Sequence, residues 1–214
     1  MSLLVYRCEV TPLQQNCRVL VEGATKRCVV IDPGGDAQIL KALLTKEGLS
    51  PEAIWLTHSH FDHCGGAAEL KRDFDIPLYA HPGETYFRTR VLDSQRLWQI
   101  PGKMENCPEP DHSISGGETL SIGDERFSVL FTPGHAPGHL CFYSATGDIL
   151  IAGDTIFFGS MGRTDLPFGD TATLFKSIRE KLLVLPSETR VLSGHGPDTT
   201  IGAERLNFEY LNQA

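Results

Sequence analysis

The chain has 214 residues, 41% of them hydrophobic, enough to bury one sizeable core, and no stretch reads as a linker or a low-complexity segment. Its net charge of −8, with no cluster of Lys and Arg, argues against a nucleic-acid partner, because a binder must neutralise phosphates with a basic face. Met1 to Val10 lacks the basic start and continuous apolar stretch of a secretory signal, and no run is long enough to span a bilayer, so a cytoplasmic protein without a membrane partner is expected.

Apolar runs at 3–6, 17–22 and 28–31 predict three strands. From Asp36 to Glu47 the spacing predicts a helix with Ile39, Leu40, Leu43 and Leu44 on one stripe, ended by Gly48. Ile54-Trp55-Leu56 predicts a strand that runs into THSHFDH at 57–63, and a helix near Ala67–Phe74 follows. The stretch holding Tyr86, Phe87 and Trp98, up to Asp111, is the least patterned and reads as loop. After Gly117, strands are expected at about 118–131, 140–144 and 149–152, then a helix from Thr171 to Leu185 with Leu174, Ile178, Leu182 and Leu185 on its face. A last strand and a short helix close the chain. Strand runs followed by outer helices, twice over, favour two sheets packed face to face between helical layers, an α/β (α+β) architecture read as one domain over 1–214. Cys8, Cys17, Cys28, Cys64, Cys107 and Cys141 are scattered without a C-x-x-C spacing, so reduced, mostly buried thiols are expected.

The chemistry concentrates at residues 57–63, where His58, His60, Asp62 and His63 fall within six positions. Neutral imidazole and carboxylate are ligands that zinc, iron and manganese accept, and four exceed what one catalytic zinc takes from so short a stretch. The surplus suggests two ions, with further ligands from His135 in TPGHAPGH, Asp154 in IAGDT and His195 in LSGHGPDT. Each of these, like His58, follows an apolar run, so the polar residues sit in loops just past strand ends. A lone Asp or His beside Gly usually caps a turn. Seven residues placed alike past four strand ends point instead to a metal site.

This H-x-H-x-D-H loop with its later His, Asp and His resembles the metallo-β-lactamase superfamily over nearly the whole chain. Within it the chain looks like the shorter hydroxyacylglutathione hydrolases, the glyoxalase II group. The closer match rests on Asp32-Pro33-Gly34-Gly35, THSHFDHCGG, AGDTIF, GRTDLPFGD and SGHGPDTTIGAE. The resemblance implies a four-layer αββα sandwich. It implies that His58, His60 and His135 bind one metal, that Asp62, His63 and His195 bind the other, and that Asp154 bridges two divalent transition-metal ions, zinc foremost, with iron or manganese as alternatives. Asp154 would fix the metal separation, and Asp62 would orient the nucleophile. The implied reaction is hydrolysis of the thioester S-D-lactoylglutathione to D-lactate and glutathione, the last step of methylglyoxal detoxification, by a monomer or homodimer. Arg163 falls where the classical enzymes have a glutathione-binding lysine and is a candidate substrate contact, while the 82–112 region can overhang the metals in this superfamily.

Two departures stand out: Gly196 replaces a larger residue, and the classical C-terminal helical extension is expected to be absent. A mononuclear-iron persulfide dioxygenase, a lactonase and a noncatalytic metal-dependent binding or sensor module remain as other readings. A β-lactamase and a processing nuclease are disfavoured. Asp32 could hydrogen-bond a ligand imidazole or merely start the Pro33-Gly34 turn. His139 is read as support or turn structure, His81 and His112 as ordinary polar residues, and Cys64 as a small buried residue beside the metal loop.

Overall fold

The computed structural model describes residues 3–211. The first half builds a six-stranded sheet in the order β1 (Leu3–Val10), β2 (Gln15–Glu22), β3 (Arg27–Ile31), β4 (Ser50–Trp55), β5 (Leu78–Ala80) and β6 (His112–Ser113), and its helices are α1 (Ala37–Glu47), α2 (Phe61–Cys64), α3 (Ala67–Phe74), α4 (Thr85–Arg88) and α5 (Val91–Leu97). The second half contributes β7 (Thr119–Ile122), β8 (Glu125–Phe131), β9 (Leu140–Ser144), β10 (Ile149–Gly153), the small ribbon β11 (Ile156–Phe157) and β12 (Ser160–Met161), α6 (Thr171–Ser177), β13 (Arg190–Ser193), β14 (Thr199–Thr200) and α7 (Ile201–Leu211). Its six-stranded sheet runs β14-β13-β10-β9-β8-β7.

Three apolar clusters define the layers. β2 is buried at every position, and the strand period of two sends its side chains to opposite faces. Cys17, Val19 and Val21 pack with Leu40 and Leu44 of α1 and Leu70 of α3. Leu20 points the other way, into a core shared with Trp55, Phe127, Phe142 and Ile151 between the two sheets. On the far side, Cys141, Leu150 and Val191 pack against Leu174, Ile178, Leu182 and Phe208. The result is helix, sheet, sheet, helix, the expected αββα sandwich.

Several expectations shift in detail. Ile39 is exposed, so the α1 stripe narrows to Leu40 and Leu44, with Leu43 half-buried. Gly48 ends the helix at φ 63°, a left-handed conformation that costs glycine little. The 118–131 run is a hairpin, turned at Gly123 with φ 57°. The 171–185 helix begins as α, capped by Asp170 accepting from Thr173 N at 2.6 Å, and widens to a π-helix over Ile178–Leu182. The unpatterned stretch after Ala80 is not a plain loop, since it forms α4 and α5. Their shortness and mixed exposure left no readable period.

β3 pairs parallel with β4 and β10 parallel with β13, while β8 shares their direction through β9. Parallel neighbours deliver their following loops to one edge. That edge carries Asp32, the 57–63 loop, His135, Asp154 and His195.

Candidate metal centre

The site begins two residues past β4. Thr57 donates from its backbone N to Asp32 Oδ1 at 2.7 Å and from its hydroxyl to Asp32 Oδ2 at 2.6 Å. With that proton committed, the Thr57 oxygen is left to accept from His58 Nδ1, 3.1 Å away, so His58 keeps a lone pair on Nε2. Asp32 Oδ2 also accepts from His63 Nδ1 at 3.0 Å, which makes Asp32 the imidazole partner that the sequence had left open between two roles. His135 Nδ1 donates to the Arg163 carbonyl at 2.7 Å, and His195 Nδ1 to the Leu13 carbonyl at 3.1 Å. In each ring the bonded Nδ1 fixes the tautomer and aims Nε2 inward.

The inward atoms form two groups. His58, His60 and His135 offer ligand atoms within 4.8 Å of one another, and so do Asp62, His63 and His195. Asp154 lies between them, its Oδ1 3.3 Å from His63 Nε2 and its Oδ2 3.6 Å from both His135 Nε2 and His195 Nε2. Asp32, His58 and His63 also lie close enough to hold an ion. Asp32, however, is already occupied by Thr57 and His63, so this trio is a hydrogen-bond relay.

The residues present fit divalent cations. His135 Nε2 and Asp154 Oδ1 are buried without a hydrogen-bond partner among the described residues, a costly condition for lone pairs in a folded interior, and His60 turns its Nδ1 toward His58 Nε2 at 3.1 Å. Asp32, Asp62 and Asp154 are all buried, and among the described residues no Lys or Arg pairs with them. Burial, then the neighbouring His135, pushes the His60 pKa down to about 3, and burial with surrounding imidazoles holds His58 well below the usual value. These rings are offered neutral, as metal ligands must be. At His63 burial opposes protonation, yet Asp154, Asp32 and Asp62 outweigh it and push the pKa up. Positive charge is what that half of the site lacks.

Two glycines make the approach possible. A Cβ at Gly194 would sit 2.2 Å from Asp154 Oδ1 and 2.8 Å from His63 Cε1, and one at Gly34 would sit 1.5 Å from the Asp62 carbonyl oxygen. Neither position has room for a side chain.

Sequence reasoning missed the residues that tie the ligand loops together. Glu84 is fully buried, and its carboxylate accepts from Ser59 N at 2.9 Å and from Gly138 N at 2.6 Å. It therefore staples the loop of His58 and His60 to the loop of His135. On the other side, Asn16 of β2 donates to the carbonyls of Ser193 and Gly196 at 3.1 and 2.9 Å, and buried Arg18 pairs with Asp198. These hold the loop of His195. His139, expected as support, accepts from Asp154 N at 3.0 Å through Nε2. No spacing rule flags Glu84, which lies in the unpatterned stretch.

The remaining candidates fall as follows. His81 stacks on Phe131 and His112 on Tyr79, both away from the centre. Cys64 is buried with its thiol on the Ser59 carbonyl at 3.4 Å, and all six cysteines are free. Above the metal centre opens a cleft of about 710 Å³. His60, Asp62, His135, Asp154 and His195 lie at its floor, with Tyr86, Phe87, Trp98, Phe157, Met161 and Arg163 around them. Arg163 donates through Nε and Nη2 to Asp165 at 2.7 and 2.8 Å, with its guanidinium 5.8 Å from the Trp98 ring.

Residues 10–195 match the metallo-beta-lactamase superfamily. The chain belongs to that superfamily, whose fold and His/Asp metal cluster it carries, and this supports a metal-dependent hydrolase. Among its relatives, hydroxyacylglutathione hydrolase GloC of Haemophilus influenzae is 36% identical over 95% of each chain. Two solved structures are similar throughout. BLEG-1 B3 metallo-beta-lactamase has a TM-score of 0.86 and 41% identity, covering 94% of this chain and 96% of its own. TTHA1623, solved in a di-iron-bound form, has a TM-score of 0.84 and 40% identity over the same shares. No helix among the described residues is long and apolar enough to cross a membrane.

Proposed function

We propose that this chain is a cytoplasmic hydroxyacylglutathione hydrolase, a single-domain enzyme that cleaves S-D-lactoylglutathione to D-lactate and glutathione. The observation that carries the reading is Asp154, one carboxylate facing two separate groups of three ligands. In the proposed assignment His58, His60 and His135 hold one ion, Asp62, His63 and His195 the second, and Asp154 touches both. Zinc is the preferred ion, with iron or manganese accepted by the same ligands. Two such ions supply a water acidified toward neutral pH and an electrophile for a carbonyl oxygen.

The protein's own groups do the rest. Asp62, whose Oδ2 stands 3.3 Å from His195 Nε2, orients the attacking water and places negative charge beside it. Hydrolysis forms a bond from water oxygen to the thioester carbon and breaks the C–S bond. The sulfur departs as thiolate, which needs little protonation, and among the described residues the floor offers no Lys to serve as a general acid. Relationship to GloC supports the thioester. Arg163, in the cleft wall, is proposed to meet a substrate carboxylate by exchanging it for Asp165, since an exposed ion pair contributes little.

The test is a substrate panel on metal-analysed protein: S-D-lactoylglutathione, a homoserine lactone, a β-lactam and glutathione persulfide. The expected result is two ions per chain and the highest kcat/KM on the thioester. Saturation at one ion, with oxygen uptake on the persulfide, would overturn the reading in favour of a dioxygenase. Preference for the β-lactam would align the chain with BLEG-1, and no turnover of any compound with both ions bound would leave a binding or sensor module.

A further inference from the structure

The cleft walls contain a second arginine, and its surroundings differ from those of Arg163. Arg90 follows α4 and lines the same cleft. Its guanidinium lies 4.2 Å from the Tyr86 ring centre, and Nη1 donates to the Tyr86 carbonyl at 3.2 Å and to the Thr89 hydroxyl at 3.5 Å. Nε and Nη2 donate to nothing among the described residues, and no carboxylate pairs with the group. A guanidinium has five N–H donors in a planar fork, so the edge that matches a carboxylate is left open. Arg163 presents that same edge to Asp165. The nearby cleft carboxylate, Asp93, pairs with Arg96 at 3.4 Å.

Arg90 is also connected to the proposed ligands through a chain of ring contacts. The His60 ring touches Phe87 at 4.6 Å, Phe87 touches Tyr86 at 5.2 Å, and Tyr86 carries the guanidinium. Three contacts therefore link a proposed ligand imidazole to an uncommitted cation, and both line the cleft that a substrate would occupy. Stacking on Tyr86 restricts the arginine before anything binds, which lowers the entropy lost on binding.

We propose that Arg90 and Tyr86 form an anion subsite that receives a carboxylate of the leaving thiol, a specificity determinant distinct from Arg163. The inference rests on the thioester reading above. It defines the substrate class as thioesters whose thiol portion carries a carboxylate remote from the scissile bond. The interaction is made alike in ground and transition states, so it is read in KM more than in kcat.

The experiment compares wild type, R90A, R90K and Y86L on S-D-lactoylglutathione and on the same thioester with both carboxylates esterified. In R90A the ratio of the two KM values should shift about tenfold against the charged substrate, the size expected of one charge-assisted contact. R90K should restore part of that ratio, because the charge remains and the fork does not. Y86L should shift it a few-fold in the same direction. Equal KM changes on both thioesters in R90A, or an unchanged ratio, would overturn the subsite and leave Arg90 as a cap on α4. Wild-type protein that hydrolyses neither thioester would overturn the thioester reading itself, an outcome separable from the first because it needs no variant.

Discussion

The floor of the cleft and its rim are built on opposite plans. At the floor every proposed ligand except the part-buried His195 is buried, and Asp32, Glu84, His139 and backbone carbonyls fix rings and loops through hydrogen bonds. At the rim Tyr86, Leu97, Trp98 and Phe168 stand exposed, and the two arginines rest on aromatic faces. Exposed apolar side chains gathered in one place mark a binding surface. The floor tolerates almost no movement and defines a reaction class. The rim carries few constraints from the fold and is free to set which molecule reaches the floor.

Substitutions at the two places should separate these roles. The largest effect is expected at the floor: Asp154→Asn should lower kcat by about a hundredfold or more, because the carboxylate shared by both ligand groups is lost, while circular dichroism still reports a folded chain. Wild-type turnover in that variant, with its metals confirmed, would remove Asp154 from the mechanism. A smaller effect is expected one layer out. Glu84→Gln leaves an amide donor facing a backbone N–H, so the loops of His60 and His135 should separate slightly and the three-histidine group should lose metal affinity by about tenfold in chelator competition. The group of Asp62, His63 and His195 should keep its affinity. Equal weakening of both would mean that Glu84 supports the fold as a whole and not one site. The smallest effect belongs to the rim, where Arg163→Ala should raise KM for the glutathione thioester a few-fold and change kcat less, with metal content intact because the residue's carbonyl still holds His135. A loss of metal in that variant would tie the rim to the floor and blur the distinction.

Legibility in the sequence follows the same division. His58, His60, Asp62, His63, His135, Asp154 and His195 could be picked out because each follows a strand whose apolar run is readable, and the topology brings those strand ends to one edge. The αββα order was legible in part from periodicity and in part only through family resemblance, since no internal repeat marks the two halves. Glu84 and Arg90 were not legible. They lie where short helices leave no period, and their roles depend on partners 25 and 54 residues away for Glu84 and on the neighbouring ring of Tyr86 for Arg90. A carboxylate that bonds two distant backbone amides has no local signature. Ile39 misled for a related reason, because the helical stripe is wider in sequence than the surface it covers.

The proposed ligands are divided between the halves of the chain, with His58, His60, Asp62 and His63 on one and His135, Asp154 and His195 on the other, and the loop of His195 is gripped by Asn16 and Arg18 from the opposite sheet. Under the proposed assignment an ion at this edge acts as a cross-link between two sheets that are joined otherwise by apolar packing and by a few polar bonds such as those of Asn16 and Arg18. An unfolded chain offers no preformed cage, so metal binding becomes folding free energy and grows with the logarithm of metal concentration. The supply of metal in the surrounding solution would then govern how long the two halves stay joined as well as whether the enzyme turns over.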